Sequence, residues 1–116
     1  MLPTRQPCDR LTYPRHFGRR PDVHLVPGDT YEDLAADAAA LIQHRAALVT
    51  LDELGRRKQP LTWLAGQLEE NVDQLRRKLY GQANASNRDL ARWGLVLKLE
   101  ETAPFAELLA PVVDHG

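Results

Sequence analysis

A single cysteine, Cys8, leaves no partner for an internal disulfide and no second thiol for a CxxC zinc or redox site, so it reads as a free thiol in a loose segment. No apolar run approaches the roughly 20 residues needed to span a bilayer, and the Arg-rich start is not followed by the apolar stretch of a secretion signal. These absences point to a cytoplasmic protein that does not enter a membrane. No segment alternates apolar and polar residues with period two for more than a few positions, which argues against strands, and no internal repeat is visible. Catalytic signatures are missing too. His16, His24, His44 and His115 are scattered, and neither HExxH nor a nucleophile elbow occurs. Asp33 and Asp37 lie one helical turn apart in a stretch explained by capping and solvation. The chain is therefore expected to be no enzyme, with no cofactor and no metal.

What is present suits an ordinary globular domain: 43% hydrophobic and 27% charged residues in a 116-residue chain. The net charge of -1 argues against a strong polyanion binder when taken alone, but the charges are unevenly spread. Residues 1–28 carry five Arg and two Asp, residues 29–55 one Arg and six acids, residues 56–98 nine cations and four acids, and residues 99–116 four acids. Two positive regions thus sit on a nearly neutral chain. Arg outnumbers Lys twelve to three, which suits bidentate phosphate contacts, although a GC-rich genome gives the same bias.

Five of the eight prolines fall at positions 3, 7, 14, 21 and 27, and each keeps its predecessor out of helical geometry. Residues 1–28 are accordingly read as an extended Pro/Arg-rich arm, parts of which could dock through Tyr13, Phe17, Val23, Leu25 and Val26. The remainder, residues 29–116, reads as one helical domain. Asp29 or Thr30 can cap a helix whose Tyr31, Leu34, Ala35, Ala38, Leu41, Ile42 and Leu48 recur at three-to-four spacing. "TLDE" at 50–53 has the form of a capping box, so either a second short helix runs from there to about Lys58 or the first continues through it. Leu61, Leu64, Ala65 and Leu68 stripe a helix of about two turns. "EEN" then breaks the pattern, and Val72, Leu75 and Leu79 resume it on a helix ending at Gly81. Ser86 caps a further helix with Leu90, Trp93 and Leu97 on one face, and "TAPFAELLAPVV" supplies the last. The expected fold is all-α, a compact domain of about five to six helices containing a helix-turn-helix at 61–80.

The run "NVDQLRRKLYG" carries the functional expectation. If Leu75 and Leu79 face inward, Asp73, Gln74, Arg77 and Lys78 project outward, with Arg76 at the flank and Asn71 at the helix start. Asn and Gln pair with adenine edges and Arg with guanine in a major groove about 12 Å wide, while cations further along meet phosphates. The acids Glu69, Glu70 and Asp73 beside this face would lower nonspecific affinity for phosphates, and Asp73 could accept from cytosine or cap the helix with Asn71.

"LAGQL", "LRRKLYG" and the spacing of Leu90, Trp93 and Leu97 after Gly81 together resemble the lambda-repressor-like, or XRE-type, helix-turn-helix domain over roughly residues 51–99. Glu69 stands where that family often has Gly, so a differently shaped turn is expected, with Asn71 taking the left-handed position. The resemblance implies a bacterial or phage transcriptional regulator that binds double-stranded DNA. Arg76, Arg77, Lys78 and Arg88 would lie on phosphates, Asn71, Asp73 and Gln74 on bases, Thr62 at a backbone clamp, and Asn84 and Ser86 on the backbone before the next helix. Such modules usually act as dimers, and either the acidic helix 30–49 or "PFAELLAPVV" could supply the homodimer contact. "GRR" at 18–20, with Arg5, Arg10 and Arg15, resembles minor-groove arms but is read first as an ordinary polar tail. "RRK" at 56–58 is read first as favouring a helix-end dipole. From a different class, the chain could be a protein-interaction module on the same scaffold, an antitoxin or accessory factor of the transcription machinery, whose acidic helix 30–49 docks a basic partner.

Overall fold

A computed structural model describes residues 6–113; Arg5 and His115 lie outside them. Five α-helices follow two short 3-10 helices, Pro7–Arg10 and Pro14–His16: α1 Tyr31–Arg57, α2 Leu61–Leu68, α3 Val72–Leu79, α4 Asn87–Val96 and α5 Phe105–Val113. No strand occurs among the described residues, where one antiparallel bridge pairs Leu11 with Leu25. No helix among them is long and apolar enough to cross a membrane.

Helix α1 is the spine. Its 27 residues run uninterrupted from a Thr30 cap, whose hydroxyl accepts from the Asp33 N–H, at about 1.5 Å per residue for some 40 Å, nearly the 44 Å long axis of the molecule. The capping box at Thr50 does not form. Thr50 is fully buried inside the helix, and the Glu53 carboxylate takes Arg56 and Arg57, both at 2.6 Å. Arg57 also donates to the Leu97 carbonyl at 2.6 Å, tying the end of α1 to that of α4 and holding the Glu53 carboxyl below its ordinary range. The charge run at 56–58 thus serves the helix end and a tertiary bond.

The face α1 turns inward is not its apolar stripe. Tyr31 is 92% exposed, Leu34 55% and Ile42 42%, while Asp37, Ala40, Gln43, His44, Ala46, Ala47, Thr50, Glu53 and Leu54 are buried. Small residues there let backbone approach closely, and Asp37, Gln43, His44 and Glu53 meet specific partners.

The partners of Asp37 and His44 come from the N-terminal segment, whose described residues, from 6 on, do not stand off as an arm. Cys8, Leu11 and Phe17 join the core with Leu54, Leu64, Leu68, Leu75, Leu79, Leu90, Trp93, Phe105 and Leu109. Pro7 and Pro14 each open a 3-10 turn at its first position, where no N–H is needed. Thr12 N–H to His24 O and Val26 N–H to Arg10 O, each 2.8 Å, close the segment on itself, and Cys8 N–H to Gly81 O, 2.8 Å, fixes it to the end of α3. Cys8 is therefore a buried thiol, 6% exposed, and burial pushes its pKa up. Arg10 reaches Asp33 at 3.1 Å and Asp37 at 3.6 Å, so these two acids serve an ion pair across elements rather than solvation.

His44 anchors the same contact. Its Nδ1 accepts from the Gly18 N–H at 2.8 Å, and Phe17 packs edge-on against the ring at 5.4 Å. Accepting at Nδ1 requires the neutral ring. Burial lowers the His44 pKa below 6.5, with Arg45 adding to this and a backbone bond to Arg20 opposing it. The unfolded chain then binds more protons than the folded one below about pH 6.5, and stability falls with pH from that point. Unfolding midpoints measured in denaturant between pH 8 and 5 should decline in the wild type. His44→Gln should flatten that decline.

Helices α1, α2 and α4 end in the same way, with a non-glycine residue in the left-handed region: Lys58 (φ 55°), Glu69 (φ 53°) and Lys98 (φ 56°). Each is followed by an N–H that bonds back five residues, from Gln59 to Leu54, Glu70 to Ala65 and Leu99 to Gly94. The left-handed residue of the α2–α3 turn is thus Glu69 itself, while Asn71 is extended (φ -65°, ψ 131°) and caps α3. Left-handed geometry costs a side-chain-bearing residue about 1–2 kcal/mol, and glycine's extra unfolded entropy returns part of that. Glu69→Gly should therefore raise the unfolding free energy by about 0.5–1 kcal/mol in urea titration.

Candidate nucleic-acid interface

Helices α2 and α3 are separate rods joined by three residues, Glu69 to Asn71. Leu64, Ala65 and Leu68 of α2 and Leu75 and Leu79 of α3 are all buried, so the inward faces are those expected. The Asn71 side-chain oxygen accepts from the N–H groups of Asp73 (2.9 Å) and Gln74 (3.2 Å), which satisfies the start of α3 and occupies that oxygen. The Ser86 hydroxyl accepts from Asp89 N–H while the Asp89 carboxylate accepts from Ser86 N–H, closing a capping box on α4. Asn71 and Ser86 are thus structural caps first, with the rest of each side chain at the surface.

On the outer face of α3, Asp73, Gln74, Arg76 and Arg77 are exposed. Arg76 bonds Asp73 at 2.7 Å, one turn back, in a pair whose side chains are 48% and 78% exposed. An ion pair so open to water contributes about 0–1 kcal/mol, so an incoming phosphate can displace Asp73. Arg77 makes no ion pair among the described residues, and neither does Arg88, exposed in the first turn of α4.

Lys78 does not project with them. Its ammonium lies 2.7 Å from Glu70 and 3.2 Å from Asp89, with the side chain only 19% exposed. Burial works against the charged amine, but the bonds it donates to the two carboxylates carry its pKa above the usual lysine value. Burial also opposes the Asp89 carboxylate, yet the Ser86 N–H and Lys78 bring its pKa below the ordinary range. Lys78 therefore staples α3 to the turn before it and to α4. It also takes Glu70 out of the acids that would repel phosphate, leaving Glu69 and Asp73 at the surface.

Thr62 is exposed in the first turn of α2, and Asn84 lines a cavity of about 260 Å³ with Arg10 and Gln43. Gln43 escaped notice in the sequence. From the buried side of α1 its amide donates to Lys78 O (2.7 Å) and Ala83 O (2.9 Å) and accepts from Ala85 N–H (3.0 Å), holding the whole α3–α4 connection. Arg92 likewise donates to the Leu68 carbonyl, closing α2. No local signal marks either residue, because each acts on backbone more than twenty positions away.

The basic stretch at 18–20 lies against the far end of α3. The Arg19 guanidinium sits 4.5 Å from the centre of the Tyr80 ring, and Arg15, Arg19 and Arg20 are exposed. Arg15 and Arg19 line a shallow hollow of about 110 Å³ with Tyr80 and Gln82. Exposed cations thus flank α3 at its C-terminal end as well as along its outer face. Among the described residues no group of three His, Cys, Asp or Glu could hold a metal ion. No family model, curated protein or solved structure matches the chain.

Proposed function

We propose that the chain is a sequence-specific double-stranded DNA-binding protein, of the kind used as a bacterial or phage transcriptional regulator, with α3 entering the major groove. The observation that carries this reading is the pairing of a short, separately capped helix with an outward set of Gln74, Arg76 and Arg77 over a fully buried Leu75 and Leu79. In this reading the exposed Gln74 and Asp73 meet base edges. Arg76, Arg77 and Arg88 serve phosphates, joined by the Arg15, Arg19 and Arg20 cluster. Lys78 is left out of this set, because its charge is already shared between two carboxylates.

Selection of bound fragments from random duplex DNA tests the proposal, and an enriched motif is the expected result. With that motif, a protein making about five phosphate contacts should lose affinity with a log-log salt slope near -4 to -5. Arg77→Glu should abolish the complex while leaving the unfolding midpoint unchanged, since Arg77 is exposed and unpaired among the described residues. A shift assay that Arg77→Glu leaves unaltered would refute the site.

A second reading is favoured by Glu69 and Asp73, which keep two acids exposed beside this helix. In that reading the same scaffold docks a protein partner, as an antitoxin or an accessory factor of the transcription machinery does. It requires that no DNA complex form even at low salt.

A further inference from the structure

Among the described residues, the apolar stripe of α1 from Tyr31 to Ile42 is left without an intramolecular partner. Tyr31, Leu34, Ala35, Ala38, Ile42 and Arg45 are exposed and Leu41 is half-buried, along about 20 Å of a helix whose opposite face is packed. Isolated exposed apolar side chains are common, but a continuous helical stripe of them marks a contact surface.

Two features of this stripe identify its occupant. The first is its arrangement about Ala38. Ala35 and Leu41 lie three positions to either side, Leu34 and Ile42 four, and Tyr31 and Arg45 seven. A two-fold axis maps each position on one helix to the position equally far on the other side of the crossing point in its mate. The smallest side chain then falls at the closest approach, and the large aliphatic ones interlock on either side of it. The second feature is charge. The start of the helix carries exposed Asp29 and Glu32, while the stripe's only charged residue, Arg45, lies at the opposite end and has no ion pair among the described residues. Antiparallel alignment sets each Arg45 against Tyr31 and Glu32 of the other copy and also opposes the two helix dipoles favourably. Parallel alignment sets Arg45 against Arg45.

We infer that the chain forms a symmetric homodimer through an antiparallel α1–α1 contact centred on Ala38. This contact involves neither α3 nor the exposed arginines of the proposed DNA face, so it holds whether or not that reading does.

Sedimentation equilibrium of the full chain at about 50 μM should give twice the 13.1 kDa chain mass, since dimer formation follows mass action. Ile42→Glu should reduce it to the single-chain mass with an unchanged circular dichroism spectrum, because Ile42 contributes little to its own core. Two further variants fix the geometry. Under mild oxidation, Ala38→Cys should cross-link to itself, whereas Thr62→Cys, on exposed α2, should not. An equimolar mixture of Ala35→Cys and Ile42→Cys should give mainly the mixed disulfide. A wild-type protein that sediments as a monomer, a dimer that persists in Ile42→Glu, or a preference for Ala35–Ala35 and Ile42–Ile42 cross-links would each overturn the proposal.

Discussion

Replacing Gln43 with leucine is expected to lower the unfolding free energy by about 2–3 kcal/mol, a large fraction of what a domain of this size possesses. The side chain is 4% exposed and makes three hydrogen bonds to backbone: Lys78 O, Ala83 O and Ala85 N–H. Leucine fills a similar volume but leaves the Ala83 carbonyl and the Ala85 amide without partners, and the Lys78 carbonyl with only the Gly81 N–H at 3.3 Å. Each such group costs about 1–3 kcal/mol when buried, and the lower end applies because the connection is only partly shielded from water. Equilibrium unfolding in urea gives the total. Hydrogen exchange locates it, since the Ala85 amide should lose protection even under native conditions. The consequence should extend to any DNA complex, because the bonds end beside Asn84, Ser86 and Arg88. A loss below 1 kcal/mol would mean that the connection holds itself without α1.

Gly18→Ala should be comparably damaging for a different reason. Gly18 has φ +72°, a region that disfavours any side chain by about 1–2 kcal/mol, and an added Cβ would lie 2.4 Å from the Leu79 carbonyl oxygen. That oxygen belongs to the last residue of α3 and cannot swing aside as a side-chain tip would, so the segment must lift from the helix. The same movement stretches the Gly18 N–H bond to His44 and disturbs Phe17, which is buried against it. A total of about 3–4 kcal/mol follows, in the range of severe backbone lesions. Gly66→Ala serves as the counterpart. A Cβ there meets nothing within 4 Å, and in a helix interior alanine gains about 0.5–1 kcal/mol over glycine. Opposite signs at these two glycines would separate tertiary crowding from intrinsic backbone preference. If both variants proved neutral, the contact between Gly18 and Leu79 would be looser than 2.4 Å implies.

Helix ends were the most legible part of the chain, because their causes are local. Thr30, Asn71 and Ser86 each bond an N–H within three residues, and Gly81 takes the left-handed position after α3. Facing was less legible. The stripe from Tyr31 to Leu48 looks like a core face by periodicity, yet the buried side of α1 is made of alanines, Asp37, Gln43, His44 and Thr50. Their burial depends on Arg10, Gly18 and the α3–α4 connection, all remote in sequence, and periodicity carries no information about such partners. The prolines of the N-terminal segment misled for a related reason. They exclude α-helix but permit 3-10 turns that still deliver Cys8, Leu11 and Phe17 to the core. At the site, the inward leucines and the outward Gln74 and Arg77 follow from spacing alone, whereas the fate of Lys78 depends on Glu70 in the preceding turn and Asp89 in the next helix. The left-handed Glu69 shows the limit of composition as a guide, since the turn forms around a residue poorly suited to it.

The bond from Cys8 to Gly81 joins the first described turn to a glycine 73 positions later (81 − 8), and this sets an order of events during synthesis. At the roughly 5–20 residues per second of translation, the leading segment spends about 4–15 seconds outside the ribosome before its docking site has emerged. For that interval Phe17 and Leu11 face solvent, and the Cys8 thiol, only 6% exposed in the finished molecule, is fully open to oxidants. The nascent chain, rather than the native protein, is the form in which this cysteine is chemically vulnerable.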